Sequence, residues 1–426
     1  MDVHVVSKTD NRKHAVIQVP GPTEEIQEFS VRVRTTLVAL SSTNLSYAAR
    51  GDLLHWWDAY PVPETAPAPY ADRSQWGIVP AWGFGVVEES AIVELTPGTL
   101  LWGYWPTSNH AVDLKLIQAG IQNHWTEVSP HRQTLMSLYN RYIVSDKADN
   151  LEHLAWEAAV RPIWACGYLL SEYVFTPSPS LHTPIHPFAG APNSGWTAED
   201  ADLSNAIVIT LGASSKTARS AAHNFYCRPS GTGPLRFLQI TSEPGSLSKA
   251  AAELRAPFPT DAVSYADIAR SAEILTSKDP KKLVIVDFGG REGGFDQLYR
   301  LIKTTPALES CKLVIITIGF QQKVYTSAEA QAAAQSVVEL GKIRFNTASL
   351  QEAAIKATGP TTYFEEISTR WEHWLAHRDH AAPDLKLVWG KGIVGADGIE
   401  GGWKSLCHGE VKPDQALVYR LKGEQA

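Results

Sequence analysis

The sequence predicts an α/β protein in which a β-rich first region precedes a doubly wound parallel-sheet domain and the chain ends in β-like sequence. Two observations predict this. Apolar runs of strand length, "NAIVITLG", "LRFLQITS", "KLVIVDFGG" and "CKLVIITIGF", are separated by helical stretches such as "SKTARSAAHNFY" and "GFDQLYRLIKT". A parallel sheet covered on both faces requires continuous apolar strands of this kind, alternating with helices. Residues 1–160, in contrast, read as short strands punctuated by Pro and Gly, and the tail "LKLVWGKGIVGADGIEGGW" returns to that character.

In chain order, "SVRVRTTLVAL" alternates as a strand does, "WGIVPAWGFGVVEES" carries a second strand and "GTLLWGYWP" a third. The Pro/Ala-rich "PVPETAPAPYADRSQ" between the first two reads as an exposed loop. From about Glu152 the pattern turns helical through "LEHLAWEAAVRPIWACGYLLSEYVF", and the polar "TPSPSLHTPIHPFAGAPNSG" then reads as an insertion or lid over residues 176–200. After the α/β stretch come the helical "SAEAQAAAQSVVELG" and the amphipathic "YFEEISTRWEHWLAHRDH". The expected division is a β-rich catalytic domain at 1–160, a dinucleotide-type domain at 161–350, and a helix with strands at 351–426 returning to the first domain.

Composition narrows the function. The 38 Lys and Arg against 45 Asp and Glu leave a formal charge of −7 with no long basic run, which argues against nucleic acid as a partner. The opening "MDVHVVSKTDNRKHAVIQV" lacks an apolar signal core, and no apolar run reaches the roughly 20 residues that span a bilayer. A soluble, cytoplasmic protein with no membrane partner is expected. Cys166, Cys227, Cys311 and Cys407 lie far apart and form no C-x-x-C or Cys/His cluster of metal-site spacing, so reduced thiols and no bound metal are expected. Fourteen Trp and 14 Tyr suit either a pocket for a flat ligand or ordinary core.

The segment "AIVITLGASSKTARSAAHNF", Ala206 to Phe225, begins as a strand and ends as a helix. As a Walker A loop it fails, because Thr210 and Ser215 stand where the two glycines should be, although Lys216 and Thr217 match its end. As a dinucleotide turn it places Ala213, Ser215 and Ala218 at the G-x-G-x-x-G spacing, each nearly as small as the glycine it replaces. The helix N-terminus offers unpaired N–H groups to an anion, and Lys216 adds a charge. A plain strand-to-helix turn with no ligand remains the alternative.

At this turn the chain resembles the medium-chain dehydrogenase/reductase superfamily, whose zinc-free quinone and enoyl reductases carry G-A-S-G-G-V-G where this sequence has "GASSKTA". Other segments resemble that family too. "VALSSTNLSYAARGD" is similar to its first catalytic segment, with Asn44-x-x-Tyr47 where Asn-x-x-Asp is common. "WGFGVVEES" and "LTPGTLLWGYW" are similar to its G-x-G-x-V-x-x-V and G-D-R-V segments, "RPIWACGYLLSEYVF" to its domain-crossing helix, and "LVIVDFGG" and "LVIITIG" to its later strands. "SSKTA" together with "LYNRY" resembles a branch of the superfamily known as a domain of unknown function. The resemblance implies a chaperonin-10-like (GroES-like) β domain with an inserted Rossmann-type domain, and often a homodimer.

It also implies a nicotinamide cofactor, held by Gly212, Ala213, Ser214, Ser215, Lys216, Thr217 and Ala218, with Gly289 and Gly290 beside the nicotinamide. The second strand ends in Thr241 and Ser242, with Lys249 a little further on; hydroxyls and a lysine suit a 2′-phosphate, so NADPH is expected over NADH. Glu243 is the one acidic residue close enough to weaken that preference. The zinc-binding Cys and the G-H-E histidine of the family's alcohol dehydrogenases are absent from "SSTNLSY" and "WGFGVV", which leaves carbonyl polarisation to hydrogen-bond donors. Candidate catalytic residues are Tyr47, His110, Tyr139 and Asn140, expected to line a cleft facing the cofactor. The reaction expected is reduction of an activated C=C or C=O in a small organic substrate, of secondary-metabolite type. A non-redox enzyme on the same scaffold (isomerase, retro-aldol or C–C hydrolase, cyclase) and a small-molecule-binding protein are the alternatives.

Overall fold

The computed structural model of the protein describes residues 1–189, 195–291 and 293–421. They fall into two compact units. The first comprises Met1–Pro162, Gln322–Val324 and the chain from Lys386 on; the second comprises Ile163–Gln321 and Tyr325–Leu385.

In the first unit the chain forms β1 (Asp2–Ser7), β2 (His14–Gln18), β3 (Ser30–Leu40), β4 (Trp76–Gly77), β5 (Pro80–Ser90), β6 (Leu100–Pro106), β7 (Val112–Gln118), β8 (His124–Glu127) and β9 (Arg141–Val144). β2, β1 and β4 make a small antiparallel sheet. A larger sheet runs β3-β5-β6-β9-β8-β7 and closes on itself, because the N-terminal half of β3 also pairs with β7, Val31 opposite Leu114. Closure follows from the alternation read in the sequence. Val31 and Val33 are fully buried, while between them Arg32 donates to Glu89 on β5 (3.0 Å) and to Asp113 on β7 (2.8 Å).

The second unit holds β10 (Ala206–Leu211), β11 (Arg236–Thr241), β12 (Thr260–Ser264), β13 (Lys282–Phe288), β14 (Lys312–Gly319) and β15 (Ile343–Arg344), all parallel, in the order β12-β11-β10-β13-β14-β15. Every residue of β10 is buried, which is why its sequence is an apolar run broken only by Thr210 rather than an alternation. Ile207, Ile209, Leu238, Ile240, Leu283 and Ile285 share one core with Phe295, Leu298 and Ile302 from the helix Gly294–Thr304. The chain leaves β10 toward β11 and β12, then returns to add β13 on β10's other side. The C-terminal ends of β10 and β13 therefore flank a topological switch point, where sheets of this kind receive ligands.

β16 (Lys386–Lys391) and β17 (Gln415–Arg420) extend the sheet of the first unit, β17 pairing antiparallel with the C-terminal half of β3. The return to that unit comes at Lys386, later than the residue 351 expected. The helices Thr347–Thr358 and Pro360–Ala376 stay with the second unit, where the latter buries Tyr363, Phe364, Ile367, Trp371 and Trp374. In the Pro-rich stretch expected as an insertion or lid, residues 190–194 lie outside the described residues; around them, Ile185 N–H donates to the Tyr173 carbonyl (2.9 Å) and Trp196 Nε1 to the Val174 carbonyl (2.8 Å). Among the described residues, no helix is long and apolar enough to cross a membrane.

Candidate functional site

The turn after β10 is built from small residues because backbone must lie on backbone there. Gly212 has φ +68°, and a Cβ on it would sit 3.2 Å from the carbonyl carbon and oxygen of Gly289. Gly289, at φ +90°, is as constrained: a Cβ there would fall 2.5 Å from the Phe320 carbonyl oxygen, beyond the end of β14. The ends of β10, β13 and β14 thus meet through their main chains, and Gly212, Gly289 and Gly290, expected to serve one ligand, are neighbours. Asp287 shapes the β13 end by accepting from the N–H groups of Gly289 (3.0 Å) and Gly290 (2.8 Å). Burial pushes its carboxyl upward, and those two N–H groups pull the other way.

Three residues on, Ser215 caps the helix Lys216–Tyr226, its hydroxyl accepting from Ala218 N–H at 3.2 Å. Ala213, Ser214 and Ala218 are buried, while Gly212, Ser215, Lys216 and Thr217 are partly exposed. The Ser215 hydroxyl is engaged by the helix. The N-terminus of a helix carries the positive end of its dipole, which favours an anion. At the end of β11, Thr241 is fully buried and its hydroxyl accepts from Glu243 N–H (3.2 Å), so of the two hydroxyls expected to meet a ribose phosphate only that of Ser242 is on a partly exposed residue. Lys249 is exposed one turn from Glu253 (3.7 Å), and Glu243 is exposed at the start of the helix Pro244–Glu253.

The catalytic candidates lie in the first unit. Tyr47 and Tyr139 belong to one aromatic cluster with Trp56, Trp82 and Tyr104, their own ring centroids 5.9 Å apart. Tyr47 Oη accepts from Trp82 Nε1 at 3.0 Å, and burial pushes its hydroxyl up to about 12, so it stays a protonated donor at neutral pH. Both tyrosines are buried, as is Asn140, whose amide donates to the Arg132 carbonyl (3.0 Å) while its Oδ1 has no partner among the described residues. His110 is not in this group. It is half-buried near Pro20 and Arg34, with a pKa lowered chiefly by burial.

A family model described as "Protein of unknown function (DUF2855)" matches residues 38–412. The chain belongs to this DUF2855 family. No curated protein is matched by the sequence. Solved structures similar to the DUF2855 chain include CurA from Vibrio vulnificus in complex with NADPH, at 12% identity, 100% coverage of both chains and TM-score 0.52. Another is the Etr1p complex with NADP and crotonyl-CoA, at 9% identity, 98% and 99% coverage and TM-score 0.50. A third is a mutant enoyl thioester reductase from Candida tropicalis, at 10% identity, 99% and 100% coverage and TM-score 0.50. At such identities the likeness shows the fold: a GroES-like β domain with an inserted Rossmann-type domain, as in the medium-chain dehydrogenase/reductase superfamily.

Two residues that hold the DUF2855 turn carried no sequence signal. Tyr265 bonds to main-chain N–H groups on both sides of the switch point, at Gly212 (2.9 Å) and Arg291 (3.2 Å). Arg219 reaches back from the helix to the Ser214 carbonyl (2.8 Å) and pairs with Asp384 (2.7 Å). The sequence shows no C-x-x-C or Cys/His cluster of metal-site spacing, but the fold brings three such residues together. Donor atoms of His223, Cys227 and His373 in the second unit lie within 4.8 Å of one another, although Cys227 and His373 are 146 residues apart in sequence.

Proposed function

We propose that this DUF2855 chain is an NADPH-dependent reductase, without zinc in its chemistry, acting on an activated C=C or C=O of a small organic molecule of secondary-metabolite type. The observation that carries the proposal is the β10 turn. A positive-φ glycine, small buried residues and a capped helix N-terminus stand at the switch point of a parallel sheet, against the glycine pair that ends β13. The fold of NADPH-complexed CurA over the whole chain agrees with it.

In this reading the positive end of the helix Lys216–Tyr226 and the Lys216 ammonium would hold the pyrophosphate, and Ser242 would meet the 2′-phosphate. Gly289 and Gly290 leave room for the nicotinamide. NADPH, when bound, supplies the hydride. Tyr47 or Tyr139, kept protonated by burial, donates a hydrogen bond to the substrate oxygen as negative charge develops there. The proposal extends to a cytoplasmic homodimer.

A second reading, a non-redox enzyme on this scaffold, is favoured by one feature: Ala213, Ser215 and Ala218 replace all three turn glycines, and Ser215 has taken a capping role. Tryptophan-fluorescence titration with NADPH and, separately, NADH tests the choice. Stoichiometric, NADPH-selective binding followed by NADPH oxidation with enones or ketones supports the reductase. No binding of either nucleotide, with turnover in their absence, replaces it with the second reading.

A further inference from the structure

Two helices of the second unit end side by side, each carrying soft or borderline ligands one turn apart. His223 and Cys227 close the helix Lys216–Tyr226, and His373 and His377 close the helix Pro360–Ala376. The His223 and His373 ring centroids are 5.7 Å apart, and Cys227 Sγ is 3.6 Å from His223 Nε2.

We propose that His223, Cys227 and His373 form a zinc-class metal site that clasps these two helices, with water at the fourth position. Sulfur and imidazole donors select zinc and its neighbours over calcium or magnesium. Bonds of about 2.3 Å to sulfur and about 2.0 Å to nitrogen at a tetrahedral angle give a sulfur-to-nitrogen edge of about 3.5 Å. The observed 3.6 Å separation matches that edge. His373 is exposed, so its ring is free to complete the set, and its exposure leaves room for a water.

The surroundings suit a cation. Both helices direct their C-termini here, and that end of a helix carries the negative pole of its dipole. His223 is 2% exposed, so its ring is held in place by the packing around it. Its Nδ1 has no hydrogen-bond partner among the described residues. Arg370, one turn before His373, is paired with Glu172 at 3.4 Å. The site is remote in role from the turn: it stands at the opposite end of the helix that Ser215 caps, and serves to hold that helix rather than to bind nucleotide.

The test uses the full-length chain stripped with a chelator and titrated with Co²⁺ and with Zn²⁺. The expected result is one equivalent bound at micromolar metal, a thiolate-to-cobalt charge-transfer band that Cys227→Ser abolishes, and a Zn²⁺ affinity at least tenfold weaker in His373→Ala. Cys311→Ser, a thiol elsewhere in the unit, should leave all of this unchanged. Zn²⁺ should also raise the melting temperature of the wild-type chain, a readout that needs no variant to fold. The proposal is overturned if the stripped wild type binds neither ion at micromolar concentration, or if binding survives both Cys227→Ser and His373→Ala. In that event the 3.6 Å contact is only a thiol-to-imidazole hydrogen bond. NADPH titration of the same samples is a separate readout, so failure here leaves the reductase proposal untouched.

Discussion

The Tyr265 hydroxyl accepts from the Gly212 N–H at 2.9 Å, joining a side chain that follows β12 to the main chain that leaves β10. The same oxygen accepts from Arg291 N–H at 3.2 Å, so one atom orders both sides of the switch point. Tyr265→Phe keeps the ring and removes that acceptor. The change should cost about 1–3 kcal/mol, because two main-chain donors lose their partner. NADPH affinity should fall with it, while Tyr299→Phe, on the helix Gly294–Thr304, should do neither. Urea denaturation and fluorescence titration of the two variants make the comparison; unchanged nucleotide affinity in Tyr265→Phe would remove the turn from the cofactor site.

Ser215 has two duties that substitution can separate. Ser215→Gly restores the residue common in the resembling reductases and, as a helix cap, should lose only a few tenths of a kcal/mol. NADPH binding should be retained or tightened. Ser215→Trp should abolish binding while the far-UV circular dichroism of the fold persists. Parent-like NADPH binding by Ser215→Trp would show that the pyrophosphate is held elsewhere.

The Arg219–Asp384 pair makes the turn sensitive to acid. Burial alone would raise the Asp384 carboxyl, but the bonds from the Arg219 guanidinium outweigh it and the group is held below its usual value. A carboxyl lowered in the folded state contributes stability above its unfolded pKa of about 3.9, and that contribution is lost as pH falls through the folded value. Asp384→Asn should therefore be less stable than wild type at pH 7, by roughly 2–3 kcal/mol once solvent screening of the partly exposed carboxylate is allowed for. The difference should shrink as the pH drops below about 4. A gap in urea midpoints that stays constant from pH 7 to pH 3 would rule out a charge-based role.

Tyr47 offers a split between structure and chemistry. In Tyr47→Phe the Trp82 Nε1 loses its acceptor, and the protein should be destabilised by about 1–2 kcal/mol. If Tyr47 is the donor to substrate, NADPH oxidation should also drop about 100-fold or more with nucleotide affinity unchanged. Tyr139→Phe tests the neighbouring hydroxyl in the same assay. A variant that turns over at the wild-type rate eliminates its tyrosine from the mechanism.

The parallel sheet was legible because burial on both faces writes itself into sequence as near-continuous apolar runs, seen in Ala206–Leu211 and Leu283–Val286. Gly289 and Gly290 were legible for a related reason, since a tight main-chain meeting leaves few residue types to choose from. Tyr265 was not, because its contribution is a single oxygen delivered across the switch point from a separate segment, and no local spacing records that. Thr241 shows the converse: its type suited a phosphate, but its side chain turns inward to Glu243 N–H. The meeting of Cys227 with His373 depends on how two helices pack, and helix packing is set by apolar faces such as that of Trp371 and Trp374 rather than by the ligands themselves.

The closing of β17 onto β3 bears on how the protein is made. Leu37–Leu40 at the C-terminal end of β3 are paired on that edge by Leu417–Arg420, residues that follow the entire second unit in the chain. A ribosome therefore finishes the parallel sheet while the edge of β3 is still open, and an unpaired strand edge invites pairing with other chains. Messages that stop before Gln415 should yield aggregates in which the second unit is folded, and a synthetic peptide covering β17 should rescue solubility when supplied during synthesis.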